Sequence, residues 1–207
     1  MISGRKLLHG IGLNDGGYRV HDCISVNGRQ VNTWVCPFYR RWEHILKRCY
    51  SSSPGRRNNT YLGCSVVREW HSFKNFREWM IAQPWEGNEV DKDLLIAGNR
   101  IYGPDQCVFI TQALNTFVTN CARARGEWPV GVSFKKGLGK FVSYCNNPFT
   151  GKMEHLGCFN NPDAAHEIWR KKKHEHALRY ADMQQDERVA RALRIRYLPE
   201  NLHKIGL

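Results

Sequence analysis

The sequence predicts an α+β protein whose last third is a three-stranded antiparallel sheet packed on one helix. Three observations carry that reading. "GYRVHDCISVNGRQVNTWVC" (17–36) alternates like a strand on either side of Asn27-Gly28, the dipeptide of a tight hairpin turn. "FYRRWEHILKRCY" and "FKNFREWMIAQ" instead repeat apolar residues at helical spacing. Three short alternating runs, "VGVSFKK", "GKFVSYCN" and "EHLGCF", then precede a long helical pattern, "NNPDAAHEIWRKKKHEHALRY".

Each element has a local cause. Pro37 suits the first position of a helix that puts Phe38, Trp42, Ile45, Leu46 and Cys49 on one face, with Arg40, Arg41, Lys47 and Arg48 off it. "SSSPGRRNNT" (51–60) has loop composition, and its two arginines without an acid suit a solvated loop or a phosphate contact. Ser72 is placed to cap a second helix, whose Phe73, Phe76, Trp79 and Met80 read as core packing rather than a base-stacking platform. "VDKDLLIAGNRIYGPDQCVFITQALNTF" (90–117) reads as a strand, a turn-rich loop, a strand and a helix, and "ARARGEWPVG" (122–131) as a linker. Gly137 and Gly139 suit one turn of the following sheet and "NPFTGK" the other. Asn161, Pro162 and Asp163 are placed to cap and open the long helix. "DERVARALRIRYL" predicts a final helix burying Val189, Leu193 and Tyr197 on one side. The domains expected are 1–125, 129–180 and a helical tail over 181–207.

Thirty-one Lys and Arg against 19 Asp and Glu give a formal charge of +12, which draws a protein towards phosphate backbones. The excess is shared, net +7 over 1–126 and +5 over 127–207, as expected if both halves touch DNA. No apolar run approaches a membrane span and "MISGRKLLHG" lacks a secretory core, so a cytoplasmic protein without membrane contact is expected. Eight cysteines occur with no C-x-x-C pair, the usual sign of structural zinc. Reduced core thiols are expected and no structural zinc. An ion gathered from distant residues such as Cys49, Cys64 or Cys107 with a histidine is the alternative.

Two family resemblances sharpen this. "GVSFKK…GKFVSYC…GKMEHLGCFNNPDAAHEIWRKKKHEHA" resembles the Apetala-two/ethylene-response-factor DNA-binding domain over about fifty residues, in its G-V opening, G-K-aromatic second strand, L-G-x-F third strand and "AA" helix start. That family lays its sheet in the major groove with the helix behind. Alternation places Phe141, Ser143 and Cys145 on one face, and Lys140, Val142, Tyr144 and Asn146 on the other. The resemblance nominates Ser133, Lys135, Lys140, Tyr144, Asn146, Met153 and His155 as DNA-facing, with fewer arginines than the family usually has.

Residues 90–117 resemble an HNH (ββα-metal) nuclease motif, in which a first-strand acid and a helix His or Asn hold a divalent ion and a His beside the acid activates water. The resemblance implies a fold of an HNH-like ββα module followed by the sheet-and-helix domain. It assigns Asp91 and Asn115 as ligands of Mg²⁺ or a similar ion and Gln106 as an orienting residue. Lys92 stands where the family has its histidine. A lysine is cationic at neutral pH and accepts no proton in that form. Lys92 is therefore a desolvated base or a phosphate contact, or the chemistry is lost; His44 and His71 are other candidate bases.

The order of the two modules is similar to homing-type endonucleases of phages and other mobile elements, which implies a bacteriophage origin and action in the bacterial cytoplasm. The expected activity is metal-assisted phosphodiester hydrolysis on duplex DNA, possible in degenerate form. The rival readings are a non-catalytic DNA-binding regulator that keeps the nuclease fold as scaffold, and a module whose basic surface binds a host protein.

Overall fold

The computed structural model describes residues 7–51, 61–119 and 127–199. The fold is α+β and divides into two compact units, Met1–Ile110 and Thr111–Leu207.

In the first unit, strands β1 (His21–Val26) and β2 (Arg29–Val35) form the expected hairpin. Asn27 and Gly28 both take positive φ, 51° and 74°, which lets a two-residue turn match the strands' twist. Helix α1 (Pro37–Tyr50) buries Trp42, Ile45, Leu46 and Cys49. The Trp42 indole N–H donates to the Trp70 carbonyl at 2.7 Å, which satisfies the polar atom of this fully buried side chain. Ser72 caps α2 (Phe73–Ile81), its hydroxyl oxygen accepting the Asn75 N–H at 3.2 Å while the hydroxyl donates to Asp15 at 2.7 Å. Phe73, Phe76 and Met80 are buried and Trp79 packs on them, so the aromatic stripe is core.

Two sheet pairs complete this unit. Strand β3 (Ser65–Val66) runs parallel to β5 (Ile101–Tyr102), and β4 (Asn88–Asp91) lies beside β6 (Val108–Thr111). Strands β4 and β6 match the two expected strands, whereas β3 and β5 carry too few residues to show any periodicity. Cys36, Cys49, Cys64 and Cys107 are all buried. The arginine-bearing segment 52–60 and the first part of the linker, 122–126, lie outside the described residues.

The second unit starts with helix α3 (Gln112–Val118), capped by the Thr111 hydroxyl, which accepts the Leu114 N–H at 3.2 Å. The expected first domain ran to residue 125, but α3 packs with the C-terminal part: Phe117 lies 5.0 Å from Tyr180 and 5.8 Å from Tyr197. Strands β7 (Val132–Lys135), β8 (Lys140–Asn146) and β9 (Met153–Phe159) form the antiparallel sheet, with β8 central. Helix α4 (Pro162–Asp182) backs it, with the Asn161 side chain accepting the Asp163 N–H at 2.7 Å as its cap. Helix α5 (Glu187–Ile195) buries Val189, Ala190, Ala192 and Leu193 and belongs to the same compact unit. Tyr197 falls beyond the end of α5, with its ring edge-on to Trp169 at 6.2 Å.

Candidate nucleic-acid interface and nuclease-like loop

Cross-strand partners in a sheet share a face, so pairing decides which side chains are presented together. Lys135 pairs with Lys140, Ser133 with Val142, Val142 with Cys158, Tyr144 with His155, and Asn146 with Met153. All seven nominated residues therefore lie on one face. Lys135, Asn146, Met153 and His155 are exposed, and Ser133, Lys140 and Tyr144 half-buried. The Tyr144 and His155 rings meet at 5.3 Å, and the Lys140 ammonium donates to the Asn160 side-chain oxygen at 2.6 Å.

The third strand reaches this arrangement through a bulge. Ser143 faces Gly157 but Tyr144 faces His155, so β9 carries one extra residue, Leu156. Counting by twos back from Phe159 would have put His155 and Met153 on the opposite side; the bulge moves them beside Tyr144 and Asn146. That opposite side packs on α4. Ser143 and Cys145 are buried there, and Glu154 accepts from Asn147 at 2.7 Å and lies 3.6 Å from the Lys172 ammonium. The Asn147 hydrogen bond, with Lys172 and His176 beside it, holds the Glu154 carboxyl below its ordinary range.

Asp91 ends β4, and its Oδ1 accepts the N–H groups of Asp93 at 2.8 Å and Leu94 at 2.6 Å. The carboxylate thus shapes the turn that follows. Lys92 points inward: the residue is 9% exposed, and its ammonium donates to the Asp93 carboxylate and, at 2.8 Å, to the Asn99 carbonyl. Asn99 answers with its amide, donating to the carbonyls of Lys92 at 2.8 Å and Ile101 at 2.7 Å and accepting the Ile101 N–H at 3.1 Å. The two side chains form a reciprocal clasp across the β4–β5 loop, with the Lys92 ammonium 5.9 Å from the Tyr102 ring centre. Asn99 opens "NRIYGPDQCVFI", the stretch likened to the nuclease family's Asn…Pro loop, but the sequence reading gave it no role of its own. Its signal, Gly-Asn before a short strand, is that of many ordinary turns.

Below the loop, burial pushes the Cys107 thiol up to about 12, and the neighbouring Asp91 carboxylate acts in the same direction. Gln106 rests against Gly103, where an added Cβ would meet its Oε1 at 2.5 Å. The His71 Nε2 lies 3.1 Å from the Val66 carbonyl, and the ring stands edge-on to Tyr50. His44 is exposed on α1, with desolvation at its ring lowering its proton affinity. Asn115 sits on α3, its carbonyl accepting the Thr119 hydroxyl at 2.6 Å. Asp91 and Asn115 thus belong to different compact units.

Among the described residues no three His, Cys, Asp or Glu side chains converge as a metal-binding group. Mg²⁺ asks for less, since it takes one or two carboxylates and fills its octahedron with water and substrate phosphate. The Asp91 carboxylate is a donor of that kind. No described helix is long and apolar enough to cross a membrane. Comparison with family models, curated proteins and solved structures finds no match to this chain.

Proposed function

We propose that the chain is a duplex-DNA-binding protein of the HNH-like, homing-endonuclease type, in which the β7–β9 face enters the major groove and Asp91 anchors a divalent ion for phosphodiester hydrolysis. One observation carries the DNA-binding part: seven residues nominated from three strands share a single face once pairing register and bulge are applied. That face offers what a groove reader needs. Asn146 brings an amide that both donates and accepts, Lys135 and Lys140 bring cations for phosphates, and Tyr144, Met153 and His155 bring contact area.

For the hydrolytic part, a Mg²⁺ ion held through Asp91 would polarise the scissile phosphate and stabilise charge on the leaving oxygen. Asp91 itself orients the turn through its two backbone hydrogen bonds, and Lys92 holds that turn closed through Asn99. The engagement of Lys92 favours a second reading, a DNA-binding protein that keeps the nuclease scaffold with little or no cleavage. An ammonium already donating to a carboxylate and a carbonyl is not poised to take a proton from water.

The test combines gel-shift binding with plasmid nicking in Mg²⁺ or Mn²⁺ for the wild type and Asp91→Ala. Binding with nicking that disappears in Asp91→Ala supports the endonuclease. Binding without nicking supports the scaffold reading. Nicking that survives Asp91→Ala removes the metal assignment, and a chain that binds no duplex at all removes both readings.

A further inference from the structure

A notch of about 340 Å³ opens at one end of the β7–β9 face and runs down to the helix behind it. Its cause is the shortness of β7. Val132, the first residue of β7, pairs with Ser143, so β8 continues through Tyr144, Cys145 and Asn146 with no strand on that side. Only the Gly131 carbonyl reaches across, accepting the Tyr144 N–H at 2.8 Å. Ser133, Tyr144, Asn146 and Met153 line the notch from the groove-facing side, and Trp169 and Lys173 of α4 line it from within.

The inner wall is held in place. The Trp169 indole presses on Gly131, where an added Cβ would come within 2.0 Å of the ring, and it stacks on His166 at 5.3 Å. The Lys173 ammonium donates to the Phe117 carbonyl at 2.8 Å and lies 3.6 Å from the Phe117 ring centre. Burial draws this lysine down to about 8, so it remains mostly cationic at neutral pH.

We propose that this notch receives a nucleobase displaced from the duplex gripped by the sheet face, with preference for the keto bases guanine and thymine. The inference rests on the DNA-binding reading and extends it. The volume lies at the low end of the roughly 300–1,000 Å³ of small-ligand pockets. Tyr144, Met153 and Trp169 offer aromatic and apolar wall to a base, and the Asn146 amide offers hydrogen bonds of both senses to its edge. Lys173 has donors only. It therefore suits the O6 of guanine or the O4 of thymine, where adenine and cytosine present an amino donor. The notch continues the groove-facing surface, so a base leaving the stack next to that surface meets it directly.

Displacing a paired base opposes binding, and a bulged base removes most of that opposition. The experiment therefore measures full-chain affinity by fluorescence anisotropy for three short duplexes: fully paired, with one unpaired guanine, and with one unpaired adenine. The guanine bulge is expected to bind about tenfold tighter than the paired duplex, the scale of a single base stacked on protein aromatics, and the adenine bulge distinctly less. Lys173→Met is expected to erase the guanine-over-adenine difference while still binding the paired duplex. A fluorescent guanine analogue at the bulge reads the same event in the wild type, so the test does not hang on the variant's folding; its emission should change on binding. Equal affinity for all three duplexes with unchanged emission overturns the inference and leaves the DNA-binding reading standing. Failure to bind the paired duplex overturns that reading itself.

Discussion

Lys92 does the work of a strut. Its ammonium joins the Asp93 carboxylate to the Asn99 carbonyl, and the Asn99 amide closes the return path to the Lys92 carbonyl. An imidazole is shorter and cannot span both acceptors, so Lys92→His is expected to lower stability by about 1 kcal/mol, the scale of losing hydrogen bonds to half-buried partners. Urea unfolding checks the loss, and the same preparation checks nicking. A Lys92→His protein as stable as the wild type and more active would show that the lysine merely replaced a base. Asn99→Ala removes the other half of the clasp and is expected to have a similar effect. Lys173 gives a residue-level prediction of opposite character. Its folded value of about 8 lies below the ordinary lysine value of 10.5. Between those limits the unfolded chain holds a proton that the folded chain has released, so this group's contribution to stability increases as pH rises from about 8 towards 10.5. Urea midpoints measured at neutral and at alkaline pH should show that increase in the wild type relative to Lys173→Met. Parallel pH profiles for the two proteins would mean that the ammonium is not desolvated.

The elements divide by how much pattern their length can hold. Strand β8, with seven residues alternating around Val142, was legible, as were α1 and α2, whose apolar faces repeat over several turns. Strands β3 and β5 are two residues each and pair across 36 positions, so neither local periodicity nor a turn signal marks them. The face assignment of β8 followed from alternation alone. That of β9 did not, because Leu156 interrupts the count, and only the resemblance to the Apetala-two/ethylene-response-factor pattern put Met153 and His155 with Tyr144. The clasp at Lys92 was illegible for another reason: it depends on a loop conformation that returns Asn99 to the residue after Asp91. Gly157 marks where the bulge needs a special backbone, at φ 128° with the Phe159 ring 3.2 Å from where a Cβ would stand. Gly157→Val is therefore expected to destabilise the second unit by about 1–3 kcal/mol and to weaken DNA binding with it. Thermal melts followed by circular dichroism measure the first effect and gel shifts the second. An unchanged melting temperature would contradict the bulge geometry.

For the whole molecule, a charge of +12 shared between the two halves predicts DNA affinity that falls steeply with salt. Lys135→Ala and Lys140→Ala should each flatten the plot of log affinity against log salt by about one unit, because each removes one phosphate-neutralising cation. An affinity indifferent to salt would favour a protein partner instead. The same plot separates contact types, since Met153→Ala should weaken binding while leaving the slope alone.

The placement of α3 reaches further, into how such a chain can be cut and rejoined. By its sequence α3 completes the strand-loop-strand-helix stretch, yet it packs into the C-terminal unit, where the Phe117 carbonyl receives the Lys173 ammonium and its ring covers that charge. A fragment begun at Thr111 keeps this cover; one begun at Glu127, inside the linker that the sequence advertises, strips it and leaves the Lys173 amine without its acceptor. Recombination that grafts the C-terminal unit onto another protein must therefore carry Asn115 along with it. The boundary between the two compact units falls inside the nuclease-like motif, at Ile110 and Thr111, where β6 passes into α3.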